Sequence, residues 1–263
     1  MTTTFLGCNI VDSALVKIGS RNEDFEYIKD NEVDKIVIQS SRDAGFRFVV
    51  TDSNAIKDIY EILRDAKVMD EKTTLDPDYI LEVHIGEEVK NYKYIVNLDE
   101  GGVGNFYDDE NCYRISKNLD ESIIQNLSFI RKPKNFEDVY YDCISEVLKK
   151  KTDLASSHSV AIDISGDVDC LKYMFSVDLL NFEKEIQKII PGAKVITTGG
   201  STEGFDTVIT VKNKGYSTKI FKTTVIVNDQ KDKVYETYYV RGDYKYEKWA
   251  VKVSEPNVAP DNW

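Results

Sequence analysis

The chain has 263 residues, of which 41% are hydrophobic, a composition that suits one large domain or two modest ones and excludes a disordered chain. Its 46 acidic residues outnumber 34 lysines and arginines, and the net charge of -12 disfavours nucleic-acid binding, because such a surface repels phosphate. The densest basic runs, residues 131–134 and 149–151, are short and predicted to be solvated. No apolar run approaches the roughly 20 residues of a membrane-spanning helix.

The N-terminal residues bear on cellular location. The run Phe5-Leu6-Gly7-Cys8 resembles the end of a bacterial lipoprotein signal, in which the small residue admits the processing peptidase and the cysteine thiol accepts the lipid. Phe5 departs from this pattern, since leucine usually stands three places before the cysteine. A complete signal would need a basic and an apolar segment upstream of Met1. Residues 1–30 are therefore predicted to be a lipobox remnant and tether, and a cytosolic N-terminus with a chance cysteine is the alternative.

The first half, residues 31–150, is predicted to form an α+β domain. Two strands, "DKIVIQSS" and "GFRFVVT", precede an amphipathic helix that Asp52 or Ser53 can cap. The alternating segment "YILEVHI" and the following "NYKYIVNL" are predicted to pair as a hairpin across residues 86–88. A strand at "CYRIS" and helices at "DESIIQNL" and "NFEDVYYDCISEVLKK" complete the domain.

The second half, residues 155–254, is predicted to form another α+β domain, followed by a loose tail at residues 255–263. A strand, "SVAIDIS", and a helix that ends before Pro191-Gly192 precede a meander of strands with turns at residues 213–215 and 242–243. The segment "DVDCLKYMFSV" between them fits either a helix or a strand. One face of the strands alternates to lysine and threonine, as expected where a sheet meets water. The predicted fold class is α+β, with two small domains that are each an antiparallel sheet with packed helices.

The glycine-rich stretches are interpreted as hairpin loops, and the acidic stretch as a turn. Residues 101–105 and 199–204 are followed by strand patterns, whereas a phosphate site needs a helix N-terminus directly after the loop. Residues 108–112 lack the spacing of a calcium-binding loop and are interpreted as a solvated acidic turn. The tripeptide Arg241-Gly242-Asp243 matches an integrin-recognition motif, but we interpret it as ordinary turn chemistry.

The histidines and cysteines form no recognisable catalytic or metal motif. His84 and His158 are the two histidines, and neither belongs to an HExxH or GxSxG pattern, so no catalytic residue is assigned. A spatial pairing of Cys112 with His84 stays open, because such pairs are not visible in sequence.

Cysteine spacing argues against a disulfide framework and against zinc. If Cys8 bears lipid, the three that remain cannot all pair with one another, and none belongs to a CxxC motif. Cys143 falls on the predicted buried stripe of a helix, and Cys112 and Cys170 are the other two. No metal and no cofactor is therefore expected.

Tyrosines are frequent near the C-terminus. The chain has 16 tyrosines, and aromatic side chains suit binding surfaces because they combine large area with a polar tip. The candidate binding surface consists of Tyr235, Tyr238, Tyr239, Tyr244, Tyr246 and Trp249. Strand propensity alone also explains this clustering, and the structural role is the favoured interpretation.

The order of segments in the first half carries a family resemblance. After Cys8 and an acidic tether come "DKIVIQSS", "AIKDIYEILRDAK" and "DYILEVHIGEEVKNYKYIVNL", an order that resembles the YhfM-type domains of lipoproteins in bacilli and their relatives. The resemblance covers Asp34 to Leu127. It implies a fold and a compartment, the outer face of the bacterial cytoplasmic membrane, and it implies no catalytic residues.

These observations lead to two functional hypotheses. We expect a non-enzymatic extracytoplasmic lipoprotein, anchored only by lipid such as palmitate at Cys8, that acts as a binding module for an unknown protein or cell-envelope ligand and not for nucleic acid. The alternative is a cytosolic acidic interaction protein of the immunity or inhibitor type, because negative charge steers association with a basic partner.

Overall fold

The computed structural model describes residues 21–29, 33–98, 101–115, 119, 132–151, 153–154, 159–261 and 263. The chain divides into two compact units, Met1–Ser128 and Phe129–Trp263, and each contains its own sheet and helices. The predicted α+β class in two parts is therefore confirmed. Cys8, His158 and the helix predicted at "DESIIQNL" lie outside the described residues.

The described part of the first unit combines a seven-stranded sheet with a short 3-10 helix, Glu23–Phe25, and two α-helices. The sheet order is β2-β1-β4-β5-β6-β7-β3, and every neighbouring pair is antiparallel. The helices are α1 (Glu26–Lys29) and α2 (Ser53–Leu63). The strands are β1 (Lys35–Ser40), β2 (Arg47–Val50), β3 (Lys67–Val68), β4 (Tyr79–Ile85), β5 (Glu88–Tyr94), β6 (Phe106–Tyr107) and β7 (Cys112–Arg114).

Neighbouring residues in the sequence explain the start of helix α2 and the hairpin of β4 and β5 in the first unit. The Asp52 side chain caps helix α2 by accepting hydrogen bonds from the backbone N–H groups of Asn54 and Ala55, so the predicted capping region is confirmed. Strand β4 alternates as predicted, with Leu81 buried. Its hairpin with β5 closes in two residues, and Gly86 at the first takes a φ of +58°, a conformation that suits glycine.

The described part of the second unit packs three helices on one face of a six-stranded sheet, whose order is β13-β12-β11-β10-β8-β9. The helices are α3 (Phe136–Lys150), α4 (Val168–Leu171) and α5 (Ser176–Ile189). The strands are β8 (Val160–Asp163), β9 (Lys194–Ile196), β10 (Thr207–Tyr216), β11 (Ile220–Asp229), β12 (Val234–Lys245) and β13 (Lys248–Val253). The segment "DVDCLKYMFSV", whose pattern fitted either a helix or a strand, thus contains α4 and the start of α5.

Helix α3 belongs to the second unit, and the predicted domain boundary near residue 150 is wrong on this point. Phe136, Val139, Cys143 and Val147 are fully buried in one cluster with side chains of β8, β10, β11 and β12. The amphipathic pattern correctly predicted the buried stripe of this helix. Periodicity identifies the face that is buried but does not identify the sheet that covers it.

The second sheet is mixed, not wholly antiparallel. Strand β8 runs parallel to both of its neighbours, β9 and β10, and the segment from β8 through α4 and α5 to β9 is a parallel crossover. The predicted meander therefore begins at β10, not at β9. The loop at residues 199–204 joins strands that are not neighbours in the sheet, so it is not a hairpin turn.

Both predicted turn positions of the meander lie inside strands. The ladder between β10 and β11 shifts register between Asn213 and Gly215, which marks a bulge, and the chain reverses only at residues 217–219. Residues 241–243 lie within β12, and the reversal follows at Tyr246 and Glu247, with φ values of 51° and 62°. The Arg-Gly-Asp tripeptide is therefore strand and not turn.

The predicted loose tail is docked on the sheet. The Asn257 N–H donates to the carbonyl of Thr237 at 2.8 Å, and the Thr237 N–H donates to the Asn257 side chain at 2.9 Å. The ring of Trp263 meets that of Tyr239 edge-on at 5.3 Å. The two prolines of residues 255–263 led to the prediction of a loose tail. The exposed backbone of β12 beyond the end of β13 nevertheless needs hydrogen-bond partners, and this segment provides them.

We predict that Gly242→Ala destabilises the second unit by about 2 kcal/mol, because an added Cβ would overpack the contact between α3 and β12. That Cβ would lie 2.6 Å from Cγ2 of Val139 and 3.2 Å from Cε3 of Trp249. Chemical denaturation followed by tryptophan fluorescence reports on this unit, because both tryptophans, Trp249 and Trp263, lie in it.

Gly166→Ala is the matched control, since a Cβ at Gly166 meets nothing within 4 Å. Equal denaturation midpoints for the two variants would contradict the proposed close approach.

Candidate anion-binding face

The six aromatic residues of the predicted binding surface do not share one surface. Tyr238 is buried in the core under the helices, whereas Tyr235 is 62% exposed on the opposite face of the sheet. Tyr246 is 97% exposed in the turn after β12. Alternation along a strand sends successive side chains to opposite faces, so a run of neighbouring tyrosines is divided by the sheet itself.

Tyr244 and Trp249 form a structural cluster on the helix side. Their rings are 5.2 Å apart, and the Trp249 indole N–H donates to the carbonyl of Lys134 at 2.7 Å. The ammonium group of Lys134 lies 5.0 Å from the centre of the Tyr244 ring. These contacts fasten the segment before α3 to the last hairpin, which is the structural role favoured by strand propensity.

The opposite, open face of the same sheet presents a group of cations near the turns of its hairpins. We call this group the cationic face. It consists of Lys212, Lys222, Arg241, Lys245, Lys248 and Lys252. Four of the six are exposed, and Lys222 and Arg241 are half-buried.

The strand registers bring these cations together. Lys222 of β11 stands opposite Arg241 of β12, and Arg241 stands opposite Lys252 of β13, so three cations form one row across three adjacent strands. Neighbouring strands lie about 4.8 Å apart. Lys245 and Lys248 are directly opposite each other at the hairpin end. Like charges in directly opposed positions destabilise a sheet.

Asp243 partly offsets this positive charge. Its carboxylate accepts hydrogen bonds from Nε and Nη2 of Arg241, at 3.0 and 2.8 Å. These bonds are the largest cause that holds the pKa of Asp243 below its usual value. Burial opposes them, and the positive charges of Arg241, Lys245 and Lys252 lower the pKa by smaller amounts. The lowered pKa is consistent with a positive local potential at the cationic face.

The charges of the chain are distributed unevenly between the two units. The first unit has 26 acidic and 14 basic residues, so it contains the whole net charge of -12. The second has 20 of each and is neutral overall. The cationic face therefore belongs to a unit without excess negative charge, and the argument from net charge against phosphate ligands does not apply to this unit.

Other residues singled out in the sequence have structural environments. His84 Nε2 lies 3.2 Å from the Glu82 carboxylate on β4, as their shared strand face predicted. Asp108 accepts hydrogen bonds from the backbone N–H groups of Glu110 and Asn111, so the acidic stretch is a tight turn. Within the described residues, no group of three or more histidine, cysteine, aspartate or glutamate side chains is arranged to hold a metal ion.

The three cysteines after Cys8 are unpaired thiols in this structure. Cys143 and Cys170 are fully buried, and burial raises the pKa of both thiols well above the usual range. Cys112 is partly exposed, and its thiol donates to the carbonyl of Glu71 at 3.5 Å. The burial of Cys143 on the core face of α3 confirms its predicted position. A buried, protonated thiol is a small hydrophobic group and not a nucleophile.

Sequence analysis missed the cationic face because its members are dispersed along the chain. The alternation of lysine and threonine on one strand face was the available signal, and it was interpreted as ordinary solvation. Recognising the row requires the register between three strands, which composition does not reveal. Trp263 was missed for a related reason, since a proline-containing tail gave no sign that it returns to the sheet.

Comparison with known proteins identifies one part of the chain. Residues 29–133 match the family model described as YhfM protein, which confirms the resemblance drawn from the segment order in the first half. No curated protein and no solved structure matches the chain. Residues 29–133 are thus similar to the YhfM family, and the match assigns them no activity.

We predict that Lys252→Thr raises the free energy of unfolding by about 0.5 kcal/mol at low salt, because it removes one member of the row of like charges. The gain should shrink as added salt screens the repulsion. The measurement is urea denaturation at two ionic strengths.

Lys194→Thr on β9 is the control for strand propensity, since threonine suits strands at either position and Lys194 stands opposite Ala161. Equal gains for the two variants at both salt concentrations would show that the row causes no measurable repulsion.

Proposed function

We propose that this protein is a non-enzymatic bacterial lipoprotein of the outer face of the cytoplasmic membrane, which binds an anionic ligand of the cell envelope through the cationic face. The observation that supports binding is the row formed by Lys222, Arg241 and Lys252 in directly opposed strand positions. Asp243 offsets part of the charge of Arg241, and the repulsion that is left lowers stability in the free protein. An anionic ligand would convert that repulsion into attraction.

Exposure of the cations favours a ligand that approaches the sheet from solvent. Lys245, Lys248 and Lys252 are exposed, and the helices of this unit pack on the other side of the sheet. Flexible lysine side chains spread over an open sheet face suit several anionic groups in succession better than one compact anion. The proposed ligand class is therefore a polyanion.

The lipid anchor is proposed from the N-terminal residues. The small Gly7 and the thiol of Cys8 provide the features that lipoprotein processing requires, and residues 9–20 separate Cys8 from Arg21, where the described residues begin. Residues 29–133, which follow this segment, match the YhfM family model. The resemblance of such domains to those of bacterial lipoproteins supports the proposed anchor.

Binding is tested with a polyphosphate chain as the probe. The double variant Lys222→Glu/Lys252→Glu should bind at least about tenfold more weakly than the unaltered chain, because two attractions become repulsions. Affinity of the unaltered chain should fall about twentyfold between about 50 and about 200 mM salt if the three cations of the row contact phosphate. Isothermal titration calorimetry measures both effects.

The matched control is Lys184→Glu/Lys188→Glu on α5, which changes the net charge equally on the helix side of the sheet. An equal loss in both double variants would mean that net charge and not the cationic face determines binding, and would contradict the proposal.

The anchor is tested by expressing the chain behind a complete lipoprotein signal in a bacterium grown with labelled palmitate. Label should appear in the protein and should be lost in Cys8→Ser, because Cys8 is the cysteine that directly follows the processing site. Cys112→Ser is the control and should keep the label, since Cys112 is a partly exposed thiol far along the chain. Equal labelling of the two variants, or none in the unaltered chain, would refute the anchor.

A second candidate function rests on the charge of the first unit. Its 26 acidic against 14 basic residues favour the alternative of a cytosolic protein that covers a basic partner, as immunity and inhibitor proteins do. Recovery of one tight basic partner from cytosol, together with an unlabelled Cys8, would support this alternative over the lipoprotein.

A further inference from the structure

The C-terminal segment brings an aromatic ring to the edge of the cationic face. After β13, Ser254 continues the pairing with β12: its N–H donates to the carbonyl of Tyr239, and its hydroxyl accepts from the Tyr239 N–H, both at 3.0 Å. Asn257 then pairs in the same way with Thr237 and takes a φ of +62°, which turns the chain. These hydrogen bonds anchor the segment that ends at Trp263.

Trp263 lies beside the row of cations. The ammonium group of Lys222 is 5.7 Å from the centre of the indole ring, and the ring meets Tyr239 edge-on at 5.3 Å and 80°. Tyr239 is on the same strand face as Arg241, two residues away, because side chains alternate along β12. An aromatic pair and a row of cations are thus neighbours on one open sheet face.

This combination distinguishes between classes of polyanion. The row from Lys222 to Lys252 spans two strand spacings, about 10 Å, which suits successive phosphates of a linear polymer better than a single headgroup. An indole ring contributes apolar area and a flat face to a ring-bearing ligand. A phosphate chain without rings would bind the cations, but contact with Trp263 would add little to its affinity.

Building on the proposed function, we infer that the ligand is a linear phosphodiester polymer of the envelope that bears sugar rings, and that Trp263 with Tyr239 contacts the sugars while the cationic face binds the phosphates. Trp263 is then the residue that determines specificity for ring-bearing polymers. Lys222 lies next to the ring as well as in the row, so it links the two parts of the site.

Four probes test this inference on the full chain by calorimetry. They are poly(glycerol phosphate) bearing glucose, the same polymer after removal of the glucose, single-stranded oligouridylate, and vesicles containing phosphatidylglycerol. The glucosylated polymer should bind about fivefold more tightly than the stripped one, because a sugar that contacts the indole buries additional apolar area. Trp263→Ala should bring this ratio close to one.

Two further variants separate recognition from folding. Trp263→Phe keeps a ring and should retain part of the preference, whereas Tyr235→Ala removes an exposed aromatic side chain elsewhere on β12 and should retain all of it. Denaturation midpoints of the three variants show whether each remains folded. Loss of the preference in Tyr235→Ala, or its persistence in Trp263→Ala, would overturn the role of Trp263.

The outcomes distinguish this inference from the proposed function. If none of the four probes binds, the anion-binding function itself is refuted, and the inference with it. If the stripped and glucosylated polymers bind equally, the cationic face stands and only the sugar contact is refuted. Tighter binding of oligouridylate would indicate single-stranded nucleic acid, and tighter binding of vesicles would indicate a membrane surface. Either result would overturn the inferred ligand.

Discussion

The close approach of helix α3 to strand β12 at Gly242 determines the organisation of the second unit. The space that a side chain at this position would need is taken by Val139 and Trp249. Because alternation is strict along a strand, fixing Gly242 under the helix also places Tyr238 and Val240 in the core, and it sends Arg241 and Asp243 to the other face. One packing contact thus determines the chemistry of both faces.

The same constraint explains why the cations are in register. Strands β11 and β13 also bury alternate residues under the helices, among them Phe221 and, less completely, Val251. A slip of one residue in either strand would move these apolar side chains into solvent, so the register cannot relax to separate the charges. Burial of apolar residues on one face therefore maintains the opposed cations on the other.

Sequence reasoning succeeded where local chemistry determines structure and failed where long-range pairing does. The Asp52 cap, the hairpin at Gly86 and the buried stripe with Cys143 follow from neighbouring residues, and each was predictable. The parallel pairing of β8 was not, because a strand pattern does not reveal the direction of its neighbours. The assignment of α3 to the second unit was missed because an apolar stripe does not identify its partner sheet.

The candidate site depends on long-range pairing between strands, and the sequence alone therefore did not reveal it. Aromatic residues are conspicuous in the sequence, yet Tyr238 stabilises the core and Tyr235 stands on the opposite face. The cations are common surface residues that become informative only when Lys222, Arg241 and Lys252 are seen to oppose one another. A solvated lysine face needs no such alignment, and spreading the cations along the strands would avoid the repulsion. A need for solubility therefore does not explain the aligned row of cations. The row favours a binding role for this face over the interpretation that the face is merely solvated.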